Sequence, residues 1–532
     1  MGRAEELTDS VDSVINGLLK LSGRAPLTAP AEVPTVTFES ARALGDVWTL
    51  TELWKSLGFG ELKRVFRRTR HAIDVEALIR VMVLNRLCDP DSKLGVLRWL
   101  ETVALPEVAV KAITHQHLLR SMDALMDQHE AVDRVVAALL RPMIDQDLSV
   151  VFYDLTTIRA EGLSTPANDV RAFGMSKEGV IARQFMLGVV QTAEGLPIYH
   201  EVFDGNTAET RTLLPTLKTV LTRFPSVKRL ILVADRGLLS LDNLGALDEL
   251  RKILDRTLEF ILAVPGRRYH EFIELLDGFH QTQCQSATTE VIGEKAWNAL
   301  RLIIAHDPVR AALQTQQRDQ QIEALIKRAD QRSNKLDEQD GGVKHRGRKL
   351  SDNGAKARLF HEVSEARLSK IIKVDLKSEL FTYDIDTQAR QLANMMDGKL
   401  LLVTNAPDLT AAEVVSRYKS LADIERGFRV LKTEIEIGPV YHRLPERIRA
   451  HAAICFMALI LYRVMRHRLT AAQSGLSPER ALEYLRRIQH HQVRLNASQT
   501  VTGVSTMSAE QTEVLNALAV KKPAIPQQLA LL

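Results

Sequence analysis

Apolar residues recur at three- and four-residue steps from Ala41 onward, through Trp48, Leu53, Ala77, Ile79, Val83, Leu97, Leu118, Leu125 and Val136. A stripe repeating about every 3.6 residues is what an amphipathic helix buries, so a helical region up to residue 147 is predicted. Its start is irregular, because Pro26, Pro30 and Pro34 interrupt residues 25–36 and proline removes an amide donor while fixing φ. The period then changes. Leu148-Ser-Val-Val-Phe-Tyr-Asp154 is a short β-branched and aromatic run, which reads as a buried strand. Residues 185–191 and 196–203 flank the turn-like Thr192-Ala193-Glu194-Gly195; they predict a hairpin that, with the first strand, makes a three-stranded meander. A helix over 211–224, a strand over 229–235, a helix near 241–254 and a strand over 260–264 complete a β-β-β-α-β-α-β order. That order predicts an α/β fold with a mixed sheet.

After Pro265 the character shifts again. Residues 314–336 are rich in Gln and charge and predict a solvated helix. Residues 341–358 carry Lys344, Arg346, Arg348, Lys349, Lys356 and Arg358 against Asp352, a local charge of +5. They are expected to form a basic loop whose contact with DNA, if made, weakens with salt. Strand-like segments return at 380–385 and 399–404, before a helix over 411–433 and an apolar helix over 445–468. The chain shows no internal repeat.

Composition narrows the classes. The longest uncharged apolar run, residues 452–462, has eleven residues, short of the roughly 20 that cross a bilayer, so it is expected in the core and no membrane partner is expected. The start Met1-Gly2-Arg3-Ala4-Glu5-Glu6 lacks an apolar signal core, which predicts a cytoplasmic protein. With 70 basic against 66 acidic side chains the net charge is +4, which permits nucleic-acid binding without demanding it. Cys88, Cys284 and Cys455 are too scattered for a disulfide framework or a CxxC zinc site. The fifteen histidines include no HxxxH pair, so none is assigned to metal, and His442 and His451 are expected at helix ends or in the core.

Two predicted strands end in an acid, in Phe152-Tyr153-Asp154-Leu155-Thr156 and Val233-Ala234-Asp235-Arg236-Gly237. An acid placed where a buried strand emerges is held rigidly and still reaches solvent. A third acid stands in the predicted helix, where Tyr418, Glu425 and Lys432 are spaced seven residues apart, a spacing that places them on one helix face. Cleavage of a phosphodiester by two metals needs oxygen ligands around ions about 3.5 to 4 Å apart. Mg²⁺ keeps several waters and takes few protein carboxylates, so three acids from two strands and a helix suffice. Lys432, two turns along the helix, is placed to meet phosphate.

These residues and their order resemble the bacterial insertion-sequence transposases of the DDE type, in the group with a Tyr-Arg-Glu-Lys signature. The resemblance covers residues 148–468, through the Asp154 strand, Phe203-Asp-Gly-Asn206-Thr, Ala234-Asp235-Arg236-Gly237, Asp397-Gly398, Val403-Thr404-Asn405 and the segment 418–432. The signature is met at Tyr418, Glu425 and Lys432 and departs at the Arg position, which is Leu421; Arg417 and Lys419 are the neighbouring cations that would replace it. The resemblance implies an RNase H-like core with a large insertion, and a DNA transposase. Asp154, Asp235 and Glu425 would bind two Mg²⁺ ions, or Mn²⁺ in their place, while Tyr418, Lys432 and Arg236 contact DNA. It implies strand cleavage at element ends and transfer of the 3′-hydroxyl into target DNA, with double-stranded DNA, as terminal inverted repeats and target, as partner. A homodimer or higher oligomer would hold both ends, and the bacterial protein would be nucleoid-associated.

The resulting plan has a helical N-terminal DNA-binding or dimerisation region at 1–147, core at 148–265, an insertion at 266–398, core with the Glu425 helix at 399–470 and a helical tail at 471–532. The intervals agree with it, since Asp154 to Asp235 is 81 residues and Asp235 to Glu425 is 190. The rival reading is a catalytically silent, transposase-derived DNA-binding protein. A second rival is a nuclease of the same fold that cuts without joining.

Overall fold

The computed structural model describes residues 15, 18–23, 36–67, 73–144, 148–162, 169–175, 179, 181–234, 241–254, 257–343, 349–495 and 499–523. Its residues fall into two compact units. One draws on Met1–Glu52, Leu94–Ala112 and Arg468–Leu532, the other on Leu53–Lys93 and Ile113–His467.

In the first unit strand β1 (Val36–Ala43) lies antiparallel to a strand from the far end of the chain, Gln489–Leu495, which pairs in turn with Gln499–Val504. Both termini were expected to be helical; the structure makes them share a sheet. The physical reason is alternation: in Val36-Thr-Phe-Glu-Ser-Ala-Arg-Ala and Gln489-His-His-Gln-Val-Arg-Leu polar and apolar positions mix at a period near two, which suits a half-buried strand. Gly45 lies just beyond β1, after Leu44, and a Cβ there would stand 2.2 Å from the Leu485 carbonyl oxygen, so the backbones meet closely. Asp46 is fully buried and accepts a bond of 3.0 Å from Arg486 Nε.

In the second unit the N-terminal helices include Val75–Cys88, His115–Asp127 and His129–Leu140, as the helical period predicts. The core strands follow: β2 (Leu148–Arg159), β3 (Ala172–Met175), β4 (Ile181–Thr192), β5 (Pro197–Asp204), helix α1 (Leu213–Arg223), β6 (Arg229–Ala234), helix α2 (Leu241–Leu254) and β7 (Thr257–Ala263). β2, β4 and β5 form the antiparallel meander, whereas β2–β6 and β6–β7 are parallel. The order β5-β4-β2-β6-β7 with these directions is that of an RNase H-like core, as the resemblance implies.

The sheet does not stop at β7. A hairpin of β8 (Val291–Trp297) and β9 (Leu300–His306) joins it through β12 (Lys399–Thr404), which pairs antiparallel with both β7 and β9. Between β9 and β12 runs the insertion proper: helix α3 (Pro308–Asp340), helix α4 (Asp352–Glu365), the short pair β10 (Ile372–Val374) and β11 (Tyr383–Ile385), and helix α5 (Thr387–Met396). Here the strand expected over 380–385 shrinks to Tyr383–Ile385. α3 extends the predicted helix at both ends, because Asp307 caps its first turn by accepting from the amides of Val309 and Arg310. The insertion has its own core, with Ile322, Leu325 and Ala329 packed with Ala355, Leu359 and Val363. The expected basic loop is shorter than predicted. Residues 344–348 lie outside the described residues, and α4 takes over at Asp352, where Ser351 caps it. Lys356 is buried in the insertion, its ammonium donating to the Ser378 carbonyl, so it is no part of a basic surface.

Helices α6 (Ala411–Lys419), α7 (Leu421–Thr433) and α8 (Pro445–Ala471) close the unit. α8 is long and apolar enough to cross a membrane by length and composition, but 94% of its most apolar window is buried inside the protein. Its run of apolar residues from Ala452 to Tyr462 is core, as predicted.

Candidate active site

The site is built on β2. Phe152 and Tyr153 are essentially inaccessible, and burying side chains of this size contributes about 1.5 to 3 kcal/mol each, so the strand that carries Asp154 is anchored from both faces. Asp154 itself is half-buried, and its Oδ1 accepts a bond of 2.7 Å from the Leu155 amide. The predicted strand ended at this acid; the structure carries β2 on to Arg159, since β4 continues to pair with it through Gln184. What ends near Asp154 is the parallel pairing with β6, whose last register pair is Tyr153 with Ala234. Asp154 and Asp235 are thus each the next residue after members of one register pair. Asp235 and Arg236 lie outside the described residues.

Side chains alternate along a strand, so Phe152 and Asp154 face one side of the sheet and Tyr153 the other. On the second side, Thr212 and Thr216 at the start of α1 lie beside the Tyr153 hydroxyl, and burial pushes that phenol far above its ordinary range. On the first side lies α7. Gln191 of β4 is the register partner of Phe152, directly opposite partners project to the same side, and a Cβ on Gly427 of α7 would come within 2.8 Å of Gln191 Nε2. The helix that carries Glu425 therefore packs on the face to which Asp154 belongs, and α7 also contacts β2.

The side chain of Glu425 lies outside the described residues, but its position on α7 is defined. Leu421, Gly427, Phe428, Val430 and Leu431 are buried, while Ala422, Arg426, Arg429 and Thr433 are exposed. At about 100° per residue, the Glu425 position falls on the border between these arcs, with Lys432 about 20° away. Lys432 is half-buried, which agrees with a rim position.

Tyr418 departs from expectation. Glu425 and Lys432 share α7, but Tyr418 belongs to α6, because the predicted continuous helix is interrupted at Ser420. Ser420 Oγ donates to the Ser416 carbonyl at 3.1 Å, the kind of side-chain bond that bends helices. Tyr418 therefore lies on a separate helix from Glu425 and Lys432. α6 is set by a capping box, with Thr410 Oγ1 accepting from the Glu413 amide at 3.2 Å and Glu413 Oε2 accepting from the Thr410 amide at 2.8 Å. It lies against β6, β12, β9 and β8. Leu421, at the position where the signature has Arg, is buried. Lys419 is paired with Glu290 at 2.6 Å.

Several motif residues prove to be joints. Asn405 ties β12 to β7, its Oδ1 accepting from the Phe260 amide at 2.8 Å and its Nδ2 donating to the Leu258 carbonyl at 3.2 Å. Asp397 pairs with Arg318 of α3 and accepts from Thr315 Oγ1 at 2.6 Å. Gly398 takes φ +67° and would place a Cβ 2.3 Å from the Asp307 carbonyl, which only glycine tolerates. These residues fasten the insertion to the sheet. Gln191 and Arg463, buried under α7, were not picked out from the sequence; the only available signal was a polar residue in an otherwise apolar stretch. Among the described residues no group of three His, Cys, Asp or Glu side chains is gathered for a metal, and two of the three candidate acids contribute no described side chain.

The fold is an RNase H-like sheet with Asp154 on a central strand and helix α7 packed over the same face. The chain belongs to the Transposase DDE domain family, whose model matches residues 145–461, and it is accordingly a transposase-family protein. No curated protein matches the chain. Among solved structures it is similar to a piggyBac transposase synaptic complex with hairpin DNA, determined by cryo-electron microscopy, at 9% identity and a TM-score of 0.40 over 82% of this chain and 75% of that one. At that score the likeness carries no weight for fold or site.

Proposed function

We propose that the chain is a metal-dependent DNA transposase of the insertion-sequence group with the Tyr-Arg-Glu-Lys signature, and that Asp154, Asp235 and Glu425 hold its pair of divalent ions. The observation that carries this reading is the joint placement of β2, β6 and α7: the parallel register stops at the residues before the two aspartates, and the glutamate helix lies on the Asp154 face. The donor set fits the ion. Carboxylate oxygens are hard ligands suited to Mg²⁺, with Mn²⁺ a chemical substitute. Bound there, such ions would polarise the scissile phosphate and lower the pKa of a coordinated water.

The chain's own groups supply the rest. Lys432, on the border that Glu425 shares, orients a DNA phosphate, and Tyr418 and Arg236 contact the DNA backbone. Such contacts position the duplex without reading its sequence. The reaction is hydrolysis of a strand at each end of the element, followed by attack of the freed 3′-hydroxyl on target DNA. Two ends must be held together, so a dimer or higher oligomer on paired inverted repeats is part of the reading, as are end-binding or dimerisation by residues 1–147 and action in a bacterial nucleoid.

The test is nicking and joining of a duplex that carries the element's terminal repeat. With Mg²⁺ the native chain should nick the strand and join its 3′ end to a target, and Asp154→Ala, Asp235→Ala and Glu425→Ala should bind the duplex without cutting it. Tight binding with no cleavage by the native chain would favour the silent DNA-binding rival. Cleavage without joining would favour a nuclease.

A further inference from the structure

Helix α7 carries a glycine in its interior, Gly427. A glycine there costs about 1 kcal/mol relative to alanine, so its presence calls for a packing reason. The structure supplies one. A Cβ at this position would stand 2.8 Å from Gln191 Nε2, 3.2 Å from Gln191 Oε1 and 3.0 Å from an Arg463 terminal nitrogen. The helix backbone thus rests directly on the ends of two polar side chains. Arg463, from α8, is buried, and it also abuts Gly195 in the β4–β5 turn, where a Cβ would lie 3.4 Å from its guanidinium.

Gln191 is the unusual partner. It is 0% exposed, and among the described residues neither its Nε2 nor its Oε1 has a hydrogen-bond partner. A buried, unsatisfied amide costs about 1 to 3 kcal/mol, which an apolar residue of similar volume would avoid, so stability alone does not account for it. Its place does. Gln191 is opposite Phe152 in the β2–β4 register, two residues along β2 from Asp154 and on the same face. It therefore stands between the strand that bears one acid and the helix that bears another.

We propose that Gln191 is a positioning residue for Glu425: its carboxamide, with the Arg463 guanidinium, is the floor under Gly427 that sets how far α7 stands from the Asp154 strand. This rests on the reading of Asp154, Asp235 and Glu425 as one metal set and adds the residue that fixes their spacing. Gly427→Ala pushes α7 outward and loosens the set, and shortening Gln191 removes the nearer of the two obstacles.

The test measures Mn²⁺ binding to the full chain by electron paramagnetic resonance, alongside the Mn²⁺ concentration that half-activates nicking. Gly427→Ala should weaken Mn²⁺ binding by roughly tenfold, the usual scale for residues that orient metal ligands from behind. The double variant Gly427→Ala with Gln191→Ser should return to within about twofold of the native chain, the scatter of additive effects. Thermal melting checks that each variant is folded; if Gly427→Ala is not, Gln191→Ser alone should still weaken Mn²⁺ binding measurably. Native-like binding in Gly427→Ala, or a folded double variant as weak as the single one, overturns the positioning role while leaving the metal site standing. Absence of Mn²⁺ binding by the native chain overturns the metal site, and this role with it.

Discussion

Tyr153 and Ala234 are register partners in adjacent parallel strands, and each immediately precedes a candidate catalytic aspartate. Neighbouring strands lie about 4.8 Å apart, so Tyr153 and Ala234 are held side by side at the end of the parallel pairing. The carboxyl ends of parallel strands are also where α/β sheets place their ligands. β2 pairs with β6, the strand that Asp235 follows in sequence, and α7, which carries Glu425, packs on the Asp154 face.

Asp154 is half-buried and is not a core packing residue. Asp154→Asn should leave thermal stability nearly unchanged and lower Mg²⁺-dependent strand cleavage by roughly three orders of magnitude, the scale of several kcal/mol of lost metal assistance. A melting curve paired with single-turnover cleavage checks both. A large fall in melting temperature with cleavage per folded molecule intact would assign Asp154 to the fold instead.

The insertion should behave as a separate packing unit. Leu359 sits at 0% exposure in the cluster formed by α3, α4 and the β10–β11 region, so Leu359→Ala is expected to cost about 2 to 5 kcal/mol there. Hydrogen exchange should rise across residues 308–385 and stay low in β2 and β6. Uniform deprotection of the sheet would show that the insertion is not energetically separate.

The joint between insertion and sheet is also testable. Asp397 and Arg318 are both largely buried, with side-chain exposures of 9% and 14%, and removing one partner of such a pair costs about 3 to 5 kcal/mol. Asp397→Ala should lower the denaturation midpoint more than Asp397→Ala combined with Arg318→Met, because the second change removes the stranded charge. Equal losses in the two variants would deny that the pair is buried together.

Acid sensitivity should arise in part from two of the buried histidines. Burial, reinforced by the nearby Lys93 charge, lowers His442 to about 3 and His451 well below its ordinary value. Both are neutral bases in the folded chain, while their unfolded counterparts take up a proton near pH 6.5. The unfolded state therefore binds more protons at lower pH, and stability falls as pH drops below about 6.5 toward 3. Lys93, lowered to about 8 by burial, has completed its change above that window. Urea midpoints should decline from pH 7 to pH 5, and less steeply in His442→Asn; an unchanged slope in that variant would remove His442 from the account.

Much of this architecture is legible in the chain because its buried strands are short β-branched runs that helices cannot imitate. Leu148 to Tyr153 and Arg229 to Ala234 announce themselves, and the motif acids follow directly. The β8–β9 hairpin carries the same signal, with Leu-Ile-Ile at 302–304 and Asn298 at φ +54° in the turn, yet it lies in a stretch whose overall polarity masks it. The terminal sheet is harder to foresee. β1 and residues 489–495 pair across 446 to 459 positions, and nothing local specifies such a partner. The interruption at Ser420 was equally hidden, because the period of 411–433 is continuous across it. Gln191 escaped for a different reason: its role depends on a glycine 236 residues later.

The central claim is that three acids distant in sequence surround one metal pair. Fe²⁺ loaded in place of Mg²⁺, with ascorbate and peroxide, generates hydroxyl radicals that cut the polypeptide beside the metal's ligands. The account predicts cuts clustered near residues 154, 235 and 425 in the same protein, all suppressed by excess Mg²⁺ and all lost together in Asp154→Asn. Cuts at one of these segments without the others, or at none of them, would contradict it.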